Sequence, residues 1–430
     1  MTYKQVLVGD YFKFEKGLGY KGEFLVEDSD VGLVGIDSQV PGGGYKQNSE
    51  KPYSGPYKEE HVVQSGDVIV TSTDITQDGS VLGSTLMIPE STKYETLIYS
   101  GDVLRVIPIK PEEFSPEYLY NLYRVEKYRR KLAYGDTGTT VRRISEANLN
   151  EQLVPLPDLK TQDAINEVIA LIDVQIEVNK KLSHNLENLL KSLFFTYVSS
   201  QVDFENYTEI DLIDVHSAES KIPSGWKVAR LDQHLKVLES GKRPKGGGSS
   251  DPSGVPSVGA ESITGLGEFN YGKTKFVSRE FFEKMKSGKV QDGDVLVYKD
   301  GAGAGNFITL FGGGFPFKEF CINEHVFRLR ANQISQTYLY LWLEQKKVRD
   351  LMVELAQKSA QPGLNKMNMA QVPIVVPAQE ILDKIDELSH PIFEKILELA
   401  LTNRNLMQAL QEIIPGLVSG ELKSPFEWAS

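Results

Sequence analysis

Little in this sequence invites covalent or metal chemistry. It has one cysteine, Cys321, so no disulfide can form within the chain, and the cytoplasm is the simplest expected address. The histidines (His61, His184, His216, His234, His325 and His390) are scattered, with no Cys/His cluster at metal-ligand spacing. No apolar run approaches the roughly 18 residues of a membrane-spanning helix. Positive charge is also short: the net charge of −12 counts against a plain nucleic-acid binder, whose affinity comes from neutralising phosphates. The chain contains no Gly-x-Ser-x-Gly elbow and no His-Glu-x-x-His helix. Gly267-Glu-Phe-Asn-Tyr-Gly272-Lys273-Thr274 matches the letters of a phosphate-binding loop. Such a loop must follow a buried strand and open into a helix, whereas Lys275-Phe-Val reads as extended. Gly301-Ala-Gly-Ala-Gly305 precedes an apparent strand rather than a helix, so it reads as a turn and not as a dinucleotide fingerprint.

What is present is a repetition. Ser115-Pro-Glu-Tyr118-Leu119-Tyr120 returns about 220 residues later as Ser335-Gln-Thr-Tyr338-Leu339-Tyr340. Leu153-Val-Pro-Leu-Pro157 returns as Pro373-Ile-Val-Val-Pro377. Asn179-Lys-Lys-Leu182, with Leu186, Leu189, Leu190 and Leu193, returns as Asn403-Arg-Asn-Leu406, with Leu410, Ile413, Ile414 and Leu417. A period this long is no solenoid unit. It describes a duplicated module, a variable globular head followed by a shared helical piece. The expected boundaries are 1–157 for the first head, 158–200 for the first helix, 201–377 for the second head, and 378–430 for the second helix and tail.

Within the heads, Val31–Ile36, Asp67–Thr71 and Asp102–Ile109 have strand character, and Pro116–Leu132 is expected to be helical. Asp292-Gly-Asp-Val-Leu-Val297 echoes Ser65-Gly-Asp-Val-Ile-Val70, and Val326-Phe-Arg328-Leu echoes Val103-Leu-Arg105-Val. The strand scaffold is therefore shared while the loops are not. In the helical pieces, Ile165, Ile172, Asn179, Leu186 and Leu193 recur at heptad spacing beside Ile169, Ile176, Ser183 and Leu190. Ile385, Ile392, Leu399, Leu406 and Ile413 do the same beside Ile396, Asn403, Leu410 and Leu417. Thr161 is the expected N-cap of the first helix, Pro391 is expected to start or kink the second, and Pro415-Gly416 to end or bend it. Asn179 and Asn403 occupy matching seam positions, where a buried asparagine fixes register. The fold class is thus α+β: two globular α/β domains separated by two long antiparallel heptad helices, a coiled-coil spacer in a pseudo-two-fold internal repeat. A helix of roughly 38 residues would span about 57 Å.

Charge is unevenly placed. Residues 203–219 carry acids (Asp203, Glu205, Glu209, Asp211, Asp214 and Glu219) and no base, and segment 380–421 is acidic. Arg124, Lys127, Arg129, Arg130, Lys131, Arg142 and Arg143 cluster in the first head, and Lys242, Arg243 and Lys245 sit beside glycines in the second. Any one such run is as readily a solvated face as a binding surface. Their position next to variable loops favours binding.

Each head closes on a Gly/Ser-containing loop and an apolar-proline segment: Thr137-Gly-Thr139-Thr-Val-Arg-Arg-Ile144 before Leu-Val-Pro-Leu-Pro157, and Lys358-Ser359-Ala-Gln361-Pro-Gly-Leu364 before Pro-Ile-Val-Val-Pro377. Each long helix carries Asn-x-x-Leu and a leucine ladder. In order, duplication and spacing, the chain resembles the specificity (S) subunits of type I restriction-modification systems over essentially its whole length. It departs from them at its start, where the first head lacks the Pro-x-Gly-Trp opening of Pro223–Trp226. The resemblance implies a non-catalytic subunit, with each head a target-recognition domain reading half of a bipartite, asymmetric double-stranded DNA site. It implies two methyltransferase (M) subunits docked on the helices and restriction (R) subunits beyond them. S-adenosylmethionine would belong to the former, ATP and magnesium to the latter, and no cofactor to this chain.

Two readers in a tandem repeat suit half-sites about one DNA turn, roughly 34–36 Å, apart. The expected DNA contacts lie on loops. In the first head they are Lys16, Tyr20, Lys21, Tyr45, Lys46, Thr139, Arg142 and Arg143. In the second they are Lys242, Arg243, Lys245, Tyr271, Lys273, Lys275, Lys299, Asn306, Ser359 and Gln361. Arg and Lys suit guanine edges and phosphates, Asn and Gln suit adenine. The competing readings are a nucleotide hydrolase using Gly267–Thr274 and a coiled-coil scaffold that binds no DNA.

Overall fold

The computed structural model describes residues 3–74, 81–132, 142–202, 222–358 and 363–422. They fall into two compact units, Met1–Gln175 with Leu406–Ser430, and Ile176–Asn405.

The first unit is built on strands β1 (Lys4–Leu7), β2 (Phe12–Lys16), β3 (Val31–Val34), β4 (Lys51–Pro52), β5 (Val62–Val63), β6 (Val68–Thr71), β7 (Thr73–Asp74), β8 (Thr85–Met87), β9 (Thr96–Tyr99), β10 (Val103–Pro108), β11 (Arg142–Arg143) and β12 (Leu153–Leu156). One sheet has the order β2-β10-β6-β8 and another β4-β3-β9-β5, with β3 and β9 parallel. Strands β1 and β12 clip the head shut, Lys4 opposite Leu156. The helix expected over Pro116–Leu132 is two: α1 (Pro116–Arg124) and α2 (Glu126–Leu132), divided at Val125. Ser115 caps α1 by accepting from the Tyr118 N–H at 3.0 Å. The short α3 (Glu146–Asn150) follows, and α4 (Leu159–Tyr197) is the first long helix.

The second head repeats the plan. Its strands are β13 (Lys227–Arg230), β14 (Leu235–Ser240), β15 (Val255–Val258), β16 (Ile263–Gly265), β17 (Glu268–Phe269), β18 (Lys275–Val277), β19 (Val295–Tyr298), β20 (Ile308–Leu310), β21 (Cys321–Ile322), β22 (Val326–Ala331) and β23 (Pro373–Val376). The order β14-β22-β19-β20 copies β2-β10-β6-β8, β15 and β21 pair in parallel as β3 and β9 do, and β13 with β23 copies the β1–β12 clip. Its helices are α5 (Arg279–Lys284), α6 (Gln336–Leu343), α7 (Lys346–Gln357) and α8 (Lys366–Gln371), before the second long helix α9 (Gln379–Ser419).

The sequence echoes turn out to be polar joints, half-buried in the first unit and buried in the second. In the first unit, Asp67 accepts the Gln64 N–H (2.7 Å) and pairs with Arg105 (3.0 Å). In the second, the fully buried Asp294 accepts the Gln291 N–H (2.8 Å) and meets Arg328 (3.1 Å) and Arg330 (2.8 Å), while Arg328 also reaches Glu239 (3.1 Å). The Tyr338 hydroxyl donates to the Val375 carbonyl (2.5 Å), and that of Tyr118 points at the matching Pro155 carbonyl (3.4 Å). Head and helix are joined through the capping serine in both. Asn166 of α4 bonds Asn121 (2.9 Å) and Ser115 (3.3 Å), and Asp386 of α9 accepts from Ser335 and Thr337.

Three helix-end expectations are corrected. Thr161 is not the N-cap: α4 starts at Leu159, and Asp158 accepts the Thr161 N–H at 2.9 Å. Pro391 does not start α9 and Pro415-Gly416 does not end it: the helix runs through both to Ser419. Its end is set by Gly420, at φ 76°, with Leu422 N–H bonded to Gly416 O (3.0 Å), a left-handed cap that glycine adopts without strain. Of the seam residues, Ile165, Ile169, Ile176, Asn179, Leu190, Ile385, Ile396, Leu399, Asn403, Leu410 and Leu417 are buried, and Leu186 and Leu193 are half-buried. Within the second unit the Asn179 side chain donates to that of Asn403 at 2.8 Å, and Asn403 donates to the Ile176 carbonyl at 3.3 Å.

Candidate nucleic-acid interface

Strands β2 and β6 both run antiparallel to β10, so both end where β10 begins. The same holds for β14 and β19 around β22. At this end of each head a glycine lets two sheets cross. A Cβ on Gly17 would stand 2.4 Å from the carbonyl oxygens of Tyr99 and Ser100, and one on Gly241 would stand 1.6 Å from that of Ile322. The crossings are tied by Leu18 N–H to Tyr99 O (2.8 Å) and by Gly241 N–H to Asn323 O (3.1 Å). The basic stretches Lys16–Lys21 and Lys242–Lys245 therefore leave their strands at the same corner of their respective heads.

Two further segments arrive there. After β6, β7 pairs with β11, Thr73 opposite Arg143, and Ile144 N–H donates to Ser72 O (2.8 Å). After β19, Asp300 bridges to Gly363, and Leu364 N–H donates to Lys299 O (2.8 Å). The corner entering the central strand completes the set: Ser72 and Thr73 donate to Asp102 O (3.2 Å each), and Lys299 N–H donates to His325 O (2.9 Å). Three separate loops thus converge in each head on one strand end, held by equivalent backbone bonds.

Beyond exposed lysines at both corners, the side chains on these equivalent backbones differ. In head two they form a charged chain. Arg243 pairs with Glu324 (2.6 Å), Glu324 approaches His325 (3.4 Å), His325 meets Asp300 (3.0 Å), and Asp300 pairs with Lys299 (2.8 Å). In head one, Tyr20 packs edge-on to Tyr53 and lines a cavity of about 170 Å³ with Leu33, Asp37, Lys51, Ser100 and Asp102. Its Asp37–Lys51 pair spans 2.6 Å, and the hydrogen bond to Asp37 raises the Lys51 pKa. The buried Ser100 hydroxyl has no partner among the described residues. Lys16, Lys21 and Arg143 are exposed, Lys21 lying 3.6 Å from Glu23. Buried Asp74 accepts the N–H groups of Val81 (2.8 Å) and Leu82 (3.1 Å).

Other expected contacts are placed differently. Tyr45 bonds Glu50 through its hydroxyl and packs against the first head's core. Tyr271 lies against Phe269 and Phe317 with the Arg404 guanidinium 4.8 Å from its ring centre, and burial pushes its hydroxyl up to about 12. Its neighbours Lys273 and Lys275 are exposed, Lys275 bonding Ser250 (3.2 Å), as is Lys46. Gly267–Thr274 forms β17 and a short 3-10 turn leading into β18, not a strand-to-helix phosphate loop. Asn306 is exposed in the turn of the β19–β20 hairpin. Lys242 and Lys245 are exposed beside Arg243. Thr139, Ser359, Gln361 and the Arg142 side chain lie outside the described residues.

Two members of the basic run of head one turn inward, while Lys127, Arg130, Lys131 and Arg143 are exposed. Arg124 grips Asp173 of α4 through two bonds (2.6 and 2.9 Å), and Arg129 donates to the carbonyls of Tyr123 and Arg124 (3.2 Å each), burial lowering its pKa. Sequence reasoning missed Asp300, Glu324 and His325 because a search for basic residues passes over acids. Their signal is positional: they follow β19 or precede β22. The second unit's larger cavity, about 810 Å³, lies between β20, α6 and α9 and is lined by none of these strand-end residues.

Comparison with known proteins bears on this geometry. The family model for the type I restriction modification DNA specificity domain matches residues 9–188 and 223–404. The MjaIX specificity subunit of Methanocaldococcus jannaschii is 23% identical over 307 residues, covering 71% of this chain and 69% of that protein. The EcoBI specificity subunit of Escherichia coli is 22% identical over 395 residues, covering 86% and 76%. Among solved structures, the type I restriction-modification S subunit from M. genitalium aligns with a TM-score of 0.55 at 14% identity over 97% of this chain and 96% of that one, a likeness of fold.

Proposed function

The chain belongs to the type I restriction-modification DNA specificity family and is a DNA-specificity subunit; from that premise we propose that each head reads one half of a bipartite, asymmetric target through its strand-end loops. The observation that carries this is the convergence of three loops on one strand end in both heads, on matching backbone bonds but with unlike side chains. A shared frame gives two readers the same stance, and different side chains give them different bases. The reading residues would be Arg243 and Lys299 with Lys242 and Lys245 in head two, and Lys16, Tyr20, Lys21 and Arg143 in head one. Arginine forks suit guanine edges, and the lysines suit phosphates.

The helices would serve as an antiparallel spacer and as the docking surface for two methyltransferase subunits. The bond between Asn179 and Asn403 in the second unit supports the pairing of α4 with α9. Restriction subunits would join that complex. S-adenosylmethionine, ATP and magnesium would be held by those partners, this chain supplying no catalytic group. No helix among the described residues is long and apolar enough to cross a membrane, and the complex would work in the cytoplasm.

Footprinting of the chain reconstituted with its methyltransferase subunits tests the reading. Two protected tracts with an indifferent spacer are expected, and one continuous tract or no preference overturns it. Arg243→Ala should blur one half-site and Arg143→Ala the other, each by about 1–3 kcal/mol of discrimination.

A further inference from the structure

Head two places two carboxylates inside the loop cluster proposed to meet a polyanion. Glu324 and Asp300 come from different segments and each grips a cation: Glu324 holds Arg243 from the loop after β14 at 2.6 Å, and Asp300 holds its chain neighbour Lys299, just past β19, at 2.8 Å. His325 stands between them, 3.0 Å from Asp300 and 3.4 Å from Glu324. The backbone under the chain is fixed as well. Lys299 N–H is bound to His325 O, His325 N–H to the Asn323 side chain (2.9 Å), and a Cβ on Gly363 would fall 2.5 Å from the Asp300 carboxylate. The cations differ in exposure: the Arg243 side chain is 56% exposed and that of Lys299 is 21%. Surface ion pairs of this kind add little to stability. Five charged or titratable side chains linked across three loops do something else: they fix where two cations stand relative to each other.

Resting on the reading of head two as a DNA reader, we infer that Glu324 and Asp300 are positioning residues for specificity. They hold Arg243 and Lys299 as one pre-set pair, so that the pair meets only a base and phosphate arrangement of matching spacing. A cation freed from its carboxylate can follow any phosphate, and a face relieved of a negative charge attracts every duplex more strongly. Both carboxylates therefore trade general affinity for discrimination, and they do so in one half-site only.

The experiment uses the full chain in complex with its methyltransferase subunits and a pool of randomised duplex DNA, comparing wild type with Glu324→Gln and Asp300→Asn. Glu324→Gln keeps the volume of a partly exposed side chain, so it tests the idea even where Asp300→Asn disturbs folding. The expected result is an approximately tenfold loss of base preference confined to one half-site, with the other half-site read as sharply as before. Binding to non-target duplex should strengthen several-fold, and its log–log salt dependence should steepen by about one unit, as for one added phosphate contact. A carboxylate acting through its charge alone would strengthen non-target binding and leave base preference intact, so the loss of preference in one half-site is what marks positioning. Unchanged preference in both half-sites, or equal loss in both, overturns the inference while wild-type selection leaves the reading intact. A wild-type complex that selects no sequence overturns the reading and the inference together.

Discussion

The two heads share the polar joints of their frame and differ at the strand end. In the frame they agree: a Gly-Asp turn tied to a strand arginine, a capping serine tied to the long helix, and a tyrosine hydroxyl aimed at the closing strand. At the strand end they diverge: a tyrosine-lined cavity in one, an ion chain in the other. Buried joints tolerate few alternatives, because an unpaired buried group costs its full desolvation. Exposed loops carry no such constraint, so there two copies of one frame are free to hold different chemistry. The frame is also more heavily charged in head two, where Asp294 serves two arginines and Asp67 only one.

That inequality is the first place to break the comparison. Asp294→Ala leaves two arginines around a fully buried vacancy and should cost about 3–5 kcal/mol. Asp67→Ala, whose partner Arg105 is 22% exposed, should cost about half that, and chemical denaturation of the two variants measures the difference. The crossings should break next. Gly241→Ala drives a methyl into the Ile322 carbonyl and should cost about 3 kcal/mol or more, with Gly17→Ala the milder of the pair, since overpacking against backbone has no side chain to yield. Thermal unfolding orders them.

A smaller effect separates the helices from the heads. Asn179→Ala takes the donor from the buried Asn403 side-chain oxygen, whose N–H still reaches Ile176, and should cost about 1–3 kcal/mol. Replacing both asparagines by leucine should restore stability, and a shift in the spacer length tolerated between half-sites is then the sign of lost register. The finest probe costs the protein nothing. Cys321 is fully buried, and burial pushes its thiol up to about 11. Alkylation at neutral pH should be negligible in the native chain and should appear when head two opens. Head-one variants should leave it protected.

These contrasts mirror what was legible beforehand. The repeated segments announced the frame because buried joints restrict sequence: Asp294 and Arg328 stood out through Asp67 and Arg105. Heptad position marks Asn179 and Asn403 as seam residues, and the bond between them emerges only from the structure. Helix ends were misread where the decisive residue was local, as with Asp158 for Thr161, or where packing kept α9 intact through Pro391. Tyr45 and Tyr271 have the side-chain type and loop position of a DNA contact, yet their rings have apolar neighbours that no spacing reveals. Arg124 and Arg129 sat in a basic run but serve Asp173 and backbone carbonyls. The ion chain of head two joins residues far apart in sequence, so only the crossing of the sheets assembles it.

The joint around Asp294 has an electrical consequence. Asp294 and Glu239 balance Arg328 and Arg330, so this part of the frame is close to neutral as a group and projects little field beyond itself. The potential at the reading end of head two is then set mainly by its loops, which lie in solvent and are screened over about 8–10 Å at ordinary ionic strength. Raising salt should accordingly weaken the hold on DNA long before it loosens the frame. Ionic strength becomes a dial on occupancy that leaves the architecture untouched, and a footprint lost in salt should return on dilution without refolding.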